Sequence, residues 1–375
     1  MSEYERRILG LHEIMSRANL DSVIVFGNTA DYGDLVYLSN FIPFGKAALV
    51  IRKDGEPVIV TDAILHGEPI NSFAWMTWIK NFVPVSHDPD EFAKVLLTIL
   101  SEVEKPTRIG FIGLENVPIR IWEKLEKGIE AEIVDVSFEF LMFKSIRSNL
   151  EIDLQREIGA ITARAMRDAV ESISEGRSEH EIAGIAYGSM FKGGAHDRSF
   201  QTIVNSGPRG GLKHSYPTDR KIQRGDLIYL DMGAMKYGYQ CDMSRSVVVG
   251  GANEEQKQVL DVILNAYRVL TSMMKSGVKM SSIITKAHEL EAKSELRPKF
   301  GNRMYLGLVV HHAIATSFFE IPSLGLLDVE LQENMSFAFE PMAHILDFGT
   351  AVIEDTILIT GRGVESLTSY EIVHW

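Results

Sequence analysis

The sequence predicts an α+β protein of two domains: a small α/β domain over residues 1–145, then a larger domain over residues 146–375 built around two matched strand hairpins. Three observations lead there. The chain has 375 residues, more than the ~250–300 that a single hydrophobic core usually organises. Its first third alternates helical and strand patterns. Its second half holds two strand-rich stretches of one design, Leu227 to Gly250 and Met335 to Gly361.

Ile8, Leu11, Ile14 and Met15 recur at helical spacing and predict an amphipathic first helix, followed by a short apolar strand from Ser22 to Phe26. Ala47 to Arg52 and Pro57 to Thr61 flank Lys53-Asp54-Gly55-Glu56, where Asp-Gly supplies the positive φ of a hairpin turn. A helix over Glu91 to Ser101 and strands at Arg108 to Ile112 and Glu132 to Val136 complete the α/β pattern. Past Lys144, Ser148-Asn149 opens a long helix carrying Leu154, Ile158, Ile161 and Ala165, with Glu151 at its favourable N-terminal end. A helix from Ser178, strands over 202–249, a helix from Glu254 to Met274, a shorter one after Ser281 and strands from Leu306 to Ile359 follow. No short-period repeat appears, which excludes a solenoid.

The composition, 45% hydrophobic and 24% charged, is that of a folded globular chain. With 51 acidic against 38 basic residues the net charge is -13, which disfavours nucleic acid and anionic membrane as partners. The single cysteine, Cys241, rules out an intramolecular disulfide and a thiolate metal site. The first ten residues are charged where a secretion signal is apolar, and no run approaches the ~20 apolar residues of a membrane span. A soluble, cytoplasmic protein is expected.

The two hairpins carry the chemistry. A turn centred between Lys236 and Tyr237 would set Asp231 opposite Asp242, and Glu340 and Glu354 are symmetric about Asp347. Cross-strand partners stand ~4.5–5.5 Å apart, where two carboxylates repel unless a cation lies between them. In both stretches a hydroxyl residue follows the second acid by two positions, Ser244 and Thr356. Arg245, Lys221 or Lys236 could neutralise single acids; four acids in two matched hairpins favour metal. His311 and His312, in an apolar setting, offer a nitrogen ligand. Four carboxylates and one neutral imidazole are balanced by two divalent cations, with a bridging water of lowered pKa as the nucleophile. Oxygen-rich ligation with one nitrogen suits Mn, Fe, Co or Zn better than Cu.

These residues resemble the pita-bread metallopeptidases: Xaa-Pro dipeptidases (prolidases), aminopeptidase P, methionine aminopeptidase and the related creatinase. Tyr37-Leu-Ser-Asn-Phe41 is similar to the YLTGF of the creatinase/prolidase N-terminal domain, and Phe143 to Ile152 to the KSPxEI entry of the catalytic domain. Asp231 and Asp242 match DxG…DxTR, Glu340-Pro341 matches IEPG, and Glu354-Asp355 matches RIED. Placing Glu320-Ile-Pro322 on the ExP of HGxG…HExP brings His312 to the ligand position and His311 to a usual glycine. Ile203 to Asp226 resembles IVxSG…HYxPxxR…GD, with His214 at the active-site histidine.

The resemblance implies a pita-bread catalytic domain with two divalent metal ions, Mn or Co first, Zn or Fe as alternatives. Asp242 and Glu354 would bridge them, Asp231 would hold one, and His312 and Glu340 the other. His214 and Glu340 would be the catalytic residues, Glu340 handling the proton of a metal-bridging hydroxide. The implied activity is hydrolysis of a small amide or peptide substrate, as in an Xaa-Pro dipeptidase or aminopeptidase P, by a homodimer. Three positions depart from the family pattern: Phe319 replaces a histidine, Val352 the arginine of RIED, and Met342 the glycine after Glu-Pro. Phe319 and Val352 are expected in the substrate pocket, making it more apolar and less basic. They support an alternative, a creatinase-like amide hydrolase or lyase on the same scaffold. A non-catalytic binding module ranks last, because all the ligand positions are filled.

Overall fold

The computed structural model describes residues 1–62, 64–65, 68–69, 77–102, 106–212, 214–308, 311–316 and 328–372. The chain divides into two compact units, Met1–Lys144 and Ser145–Trp375.

In the first unit a six-stranded sheet runs in the order 81–84, 58–61, 47–52, 22–27, 108–112, 132–135. Ser22–Gly27 lies at its centre, antiparallel to Ala47–Arg52 and parallel to Arg108–Ile112. Both faces of this strand are covered, which is why it is apolar without alternation. Val23 and Val25 pack with Leu11, Met15 and Tyr37 on one side; Ile24 and Phe26 pack with Phe92, Leu96 and Phe111 on the other. The first helix, Glu3–Ala18, begins at a capping box of Ser2 and Glu5.

The second unit is organised by a nine-stranded sheet, whose main path is 203–206, 227–232, 243–248, 349–360, 336–339, 311–313. Helix Asn149–Ser172, opened by a capping box of Ser148 and Glu151, and helix Glu179–Lys192 cover one face. They bury Ile158, Met166, Ile182 and Met190 against Val204, Ile228, Leu230 and Met243. Side chains alternate along a strand, so Asp231, beside Leu230, points to the opposite face.

The first hairpin departs from its expected register. Its turn is centred on Tyr237 and Gly238, both at positive φ (54° and 83°), with Lys236 paired to Tyr239 and Met235 to Gln240. A type I′ hairpin turn needs positive φ at both central residues, and glycine takes one of them without strain. Asp231 therefore pairs with Ser244, not Asp242. The displacement is two residues, so each side chain keeps its face. The second hairpin has the expected register: Phe339 pairs with Asp355 and Met342 with Val352, which sets Glu340 level with Glu354.

Gly159, inside the long helix, tests this packing. A Cβ there would stand 2.0 Å from the Leu367 carbonyl oxygen. Alanine is favoured over glycine in helices by ~1 kcal/mol, but pushing apart a backbone contact costs about 1–3 kcal/mol. Gly159→Ala should lower the urea midpoint of unfolding; an unchanged or raised midpoint would show that the helix does not meet residue 367 this closely.

Candidate metal centre

The registers place the acids in two adjacent rows on one sheet face. One row crosses the strands as Asp231, Ser244, Glu354 and, by the flanking pairs, Glu340. The other runs Asp242, Thr356, Ala338, His312. Here the Asp242 N–H donates to Thr356 Oγ (2.8 Å) and the Thr356 N–H donates to the Asp242 carbonyl (3.1 Å). The rows lie two residues apart along each strand, ~7 Å, within reach of side chains leaning together.

They do lean together. Ligand atoms of Asp242, His312 and Glu354 lie within 4.8 Å of one another, and so do those of Asp231, Glu340 and Glu354. All five residues are buried, and Glu354 belongs to both groups. Asp242 and His312 stand in one group and Asp231 and Glu340 in the other. His312 Nε2 is 3.4 Å from Asp242 Oδ2, and Ser244 Oγ donates to Glu354 Oε2 at 2.7 Å.

Burial and mutual repulsion act on these carboxyls in one direction. Burial, then the charges of Asp231 and Glu340, holds Asp242 well above the usual carboxylate range. Burial and the charges of Glu354 and Asp231 do the same to Glu340, and burial with Asp242 and Asp231 to Glu354. Asp231 is raised by burial and partly relieved by the Tyr229 hydroxyl, which donates to its Oδ2 at 2.7 Å.

The basic residues that could have neutralised the acids are engaged elsewhere. Arg245 donates to Asp355 Oδ1 and to the carbonyls of Ser244, Glu354, Tyr370 and Glu371. Lys221 pairs with Glu181 and Lys236 with Glu157. Asp231 Oδ1 and Asp242 Oδ1 are buried with no hydrogen-bond partner among the described residues. Buried carboxylate oxygens without donors are costly unless they meet a cation. The donor set, four carboxylates and one imidazole, therefore fits divalent metal ions.

The acids open onto a cavity of about 530 Å³, also lined by His214, Tyr216, Tyr305, Met342 and His344. His214 sits on a loop at φ 50°, a left-handed conformation that disfavours ordinary side chains. The base of that loop is fastened. Glu179, fully buried, accepts from the N–H and hydroxyl of Ser206 (2.9 and 2.7 Å) and of Thr218 (2.9 and 2.7 Å).

One pocket expectation changes, and the other falls outside the described residues. Val352 does not line the cavity: it is fully buried behind the wall with Ile203, Tyr229 and Met342, of which Ile203 and Met342 reach the cavity. Phe319, with Glu320 and Pro322, lies outside the described residues. The sequence reading missed His344 and Tyr305. Alternation from Glu340 through Met342 to His344 was a signal for the first; Tyr305 comes from a strand paired to it, with no local signal.

The profile of metallopeptidase family M24 matches residues 153–361, and that of the creatinase/prolidase N-terminal domain matches residues 7–147. A Pyrococcus furiosus Xaa-Pro dipeptidase is 32% identical over 369 residues, covering 98% of this chain and 99% of that protein. The crystal structure of the prolidase from Pyrococcus horikoshii superimposes with a TM-score of 0.81 at 26% identity, covering 98% and 99% of the two chains. That of an X-Pro aminopeptidase from Thermotoga maritima gives a TM-score of 0.84 at 24% identity, covering 99% and 98%, a likeness of fold.

The raised carboxyls set a sign for the metal-free protein. An acid whose folded pKa exceeds its unfolded value keeps its proton in the fold where the unfolded chain has lost it, so stability falls as pH rises through that window. With metal removed by chelation, these acids should lower the urea midpoint as pH rises from about 5 to 8, and excess Mn should abolish the decline. A metal-free midpoint that climbs across this range, with no response to Mn, would contradict the reading.

Proposed function

The chain belongs to metallopeptidase family M24, and from that premise we propose that it hydrolyses the Xaa-Pro bond of small peptides with two divalent metal ions. The observation that carries this is the pair of carboxylate groups sharing Glu354 beside the cavity. Asp231, Asp242, His312, Glu340 and Glu354 would hold the ions, with Glu354 common to both ligand groups. Manganese or cobalt suits this hard, oxygen-rich set with its single nitrogen best, with zinc or iron as alternatives. When bound, such ions supply Lewis acidity toward the scissile carbonyl and bring the pKa of water near neutrality.

The chain's own groups do the rest. The Glu340 carboxylate takes the proton of the attacking water and returns it to the proline nitrogen, which cannot leave as an anion. His214, on its fastened loop, reaches the same cavity to orient the substrate carbonyl or pass a proton. Ile203, Met342, Tyr216 and Tyr305 offer apolar surface to the pyrrolidine ring. Val352, which had supported a non-peptidase reaction, lies behind the wall, so that alternative loses half its basis. The proposal includes a homodimer working in the cytoplasm, in keeping with one buried, unpaired cysteine. Among the described residues no helix is long and apolar enough to cross a membrane.

The test is direct. Protein stripped of metal and reloaded with Mn or Co should cleave Xaa-Pro dipeptides or longer peptides with Xaa-Pro at the N-terminus, and should lose activity on chelation. Glu340→Gln should lower kcat by ~10²–10⁴-fold. Absence of turnover across such a panel at full metal occupancy would overturn the peptidase reading.

A further inference from the structure

Glu179 opens the helix Glu179–Lys192 and is fully buried. A buried carboxylate is costly unless donors surround it, and its donors come from the two ends of one loop. Oε1 accepts from the N–H and hydroxyl of Ser206, where the strand Ile203–Ser206 ends. Oε2 accepts from the N–H and hydroxyl of Thr218, beyond His214. Arg209 Nε stands 3.4 Å from Oε2, and the same guanidinium donates to the Tyr216 carbonyl at 2.9 Å. The His180 N–H donates to the Thr218 carbonyl at 3.1 Å, which seats the far end of the loop on the start of the helix.

What this loop carries is His214, with Ser215 and Tyr216 on the same cavity wall. His214 has φ 50°, a left-handed conformation that a residue with a side chain keeps only where its surroundings impose it. It is also close enough to act on the Asp231 carboxyl by charge. Imposing such a conformation within a loop requires both ends to be fixed, and Glu179 meets both. The chemistry of the clamp calls for a carboxylate. The two hydroxyls can turn and accept, but the two backbone N–H groups can only donate, so each end needs an acceptor oxygen. A glutamine side chain of the same size has one acceptor oxygen and turns an NH2 group toward the other end.

We propose that Glu179 is a positioning residue of the reaction: its one carboxylate clamps both ends of the loop and thereby holds His214 at the cavity. The proposal rests on the peptidase reading above and on the part given there to His214. Glu179 is not among the residues that line the cavity or form the ligand groups, so its effect on the reaction passes through the loop. A residue that only braces the fold is felt in every property of the site. One that positions His214 is felt where His214 acts, and leaves the binding of metal alone.

The experiment sets Glu179→Gln, His214→Ala and the double variant beside wild type. Mn affinity and stoichiometry are read by titration, and kcat and KM of the Mn-loaded proteins on the best-cleaved Xaa-Pro peptide. Glu179→Gln should lower kcat by about 10- to 100-fold, the effect of misplacing a group by about 1 Å, with KM and Mn affinity close to wild type. In the His214→Ala background the same substitution should lower kcat no further, because the residue it positions is already gone. Thr218→Val removes one hydroxyl donor and keeps the backbone; it should show a smaller loss with the same non-additivity, and carries the test if Glu179→Gln fails to fold. An equal loss in both backgrounds, or a loss of Mn affinity, would make Glu179 a brace of the fold and overturn the proposal, as would an unchanged kcat in folded Glu179→Gln. A wild type that turns over no Xaa-Pro peptide overturns the peptidase reading first, and this proposal with it. A His214→Ala variant as active as wild type removes the part given to His214 and this proposal with it. An active wild type, an impaired His214→Ala and an additive Glu179→Gln overturn this proposal alone.

Discussion

Carboxylates crowded on one sheet face repel one another, and the rest of the second unit is arranged around that repulsion. Two unit charges 4.8 Å apart, the outer limit of each ligand group, interact with roughly 3–4 kcal/mol at an effective dielectric constant near 20. Summed over the pairs formed by Asp231, Asp242, Glu340 and Glu354, this approaches the ~5–15 kcal/mol by which a whole domain is stable. A chain with these side chains must protonate them or bind cations. The pKa directions describe the first response, the M24 family membership the second.

The surrounding structure keeps the acids close despite this. Ser244 stands in the row between Asp231 and Glu354 and donates to Glu354, as Tyr229 does to Asp231, giving the crowded carboxylates neutral donors. Arg245 is fully buried one residue along, where alternation turns it from the acid face, and its guanidinium ties Ser244 and Glu354 by their carbonyls to Asp355 and to the segment at Tyr370 and Glu371. Asp355 in turn accepts from the hydroxyls of Tyr267 (2.5 Å) and Thr368 (3.0 Å). The strands carrying Asp242 and Glu354 are thus locked in register by a buried network that works only when all its members are satisfied. The cavity side is held differently, with Glu179 closing the base of the His214 loop and Thr350 joining the second hairpin to Gly210.

What was legible in the sequence followed from periodicity. Apolar strands interrupted by acids, together with glycine-bearing turns, were enough to bring Asp231, Asp242, Glu340 and Glu354 to one face, because period two determines faces. His312 joined them through a motif match and not through its own surroundings. Register was less accessible. The first hairpin slipped by two residues because positive φ settled on Tyr237 and Gly238, a choice between neighbouring residues of similar local signal. The composition of the pocket was hidden for another reason. Whether Val352 reaches the cavity depends on Met342 and Ile203 lying over it, and the place of His344 depends on Tyr305, Thr350 and Gly210, contacts between segments far apart in the chain.

The proposed sharing of one carboxylate, Glu354, by two cation positions sets a sharp condition on the site. It is tested most directly by anomalous scattering at the manganese edge from crystals grown with excess Mn. Two manganese peaks per chain are expected, with the Glu354 carboxylate touching both and Asp231, Asp242, His312 and Glu340 around them. A single peak, or two peaks of which either lies out of reach of Glu354, would contradict it.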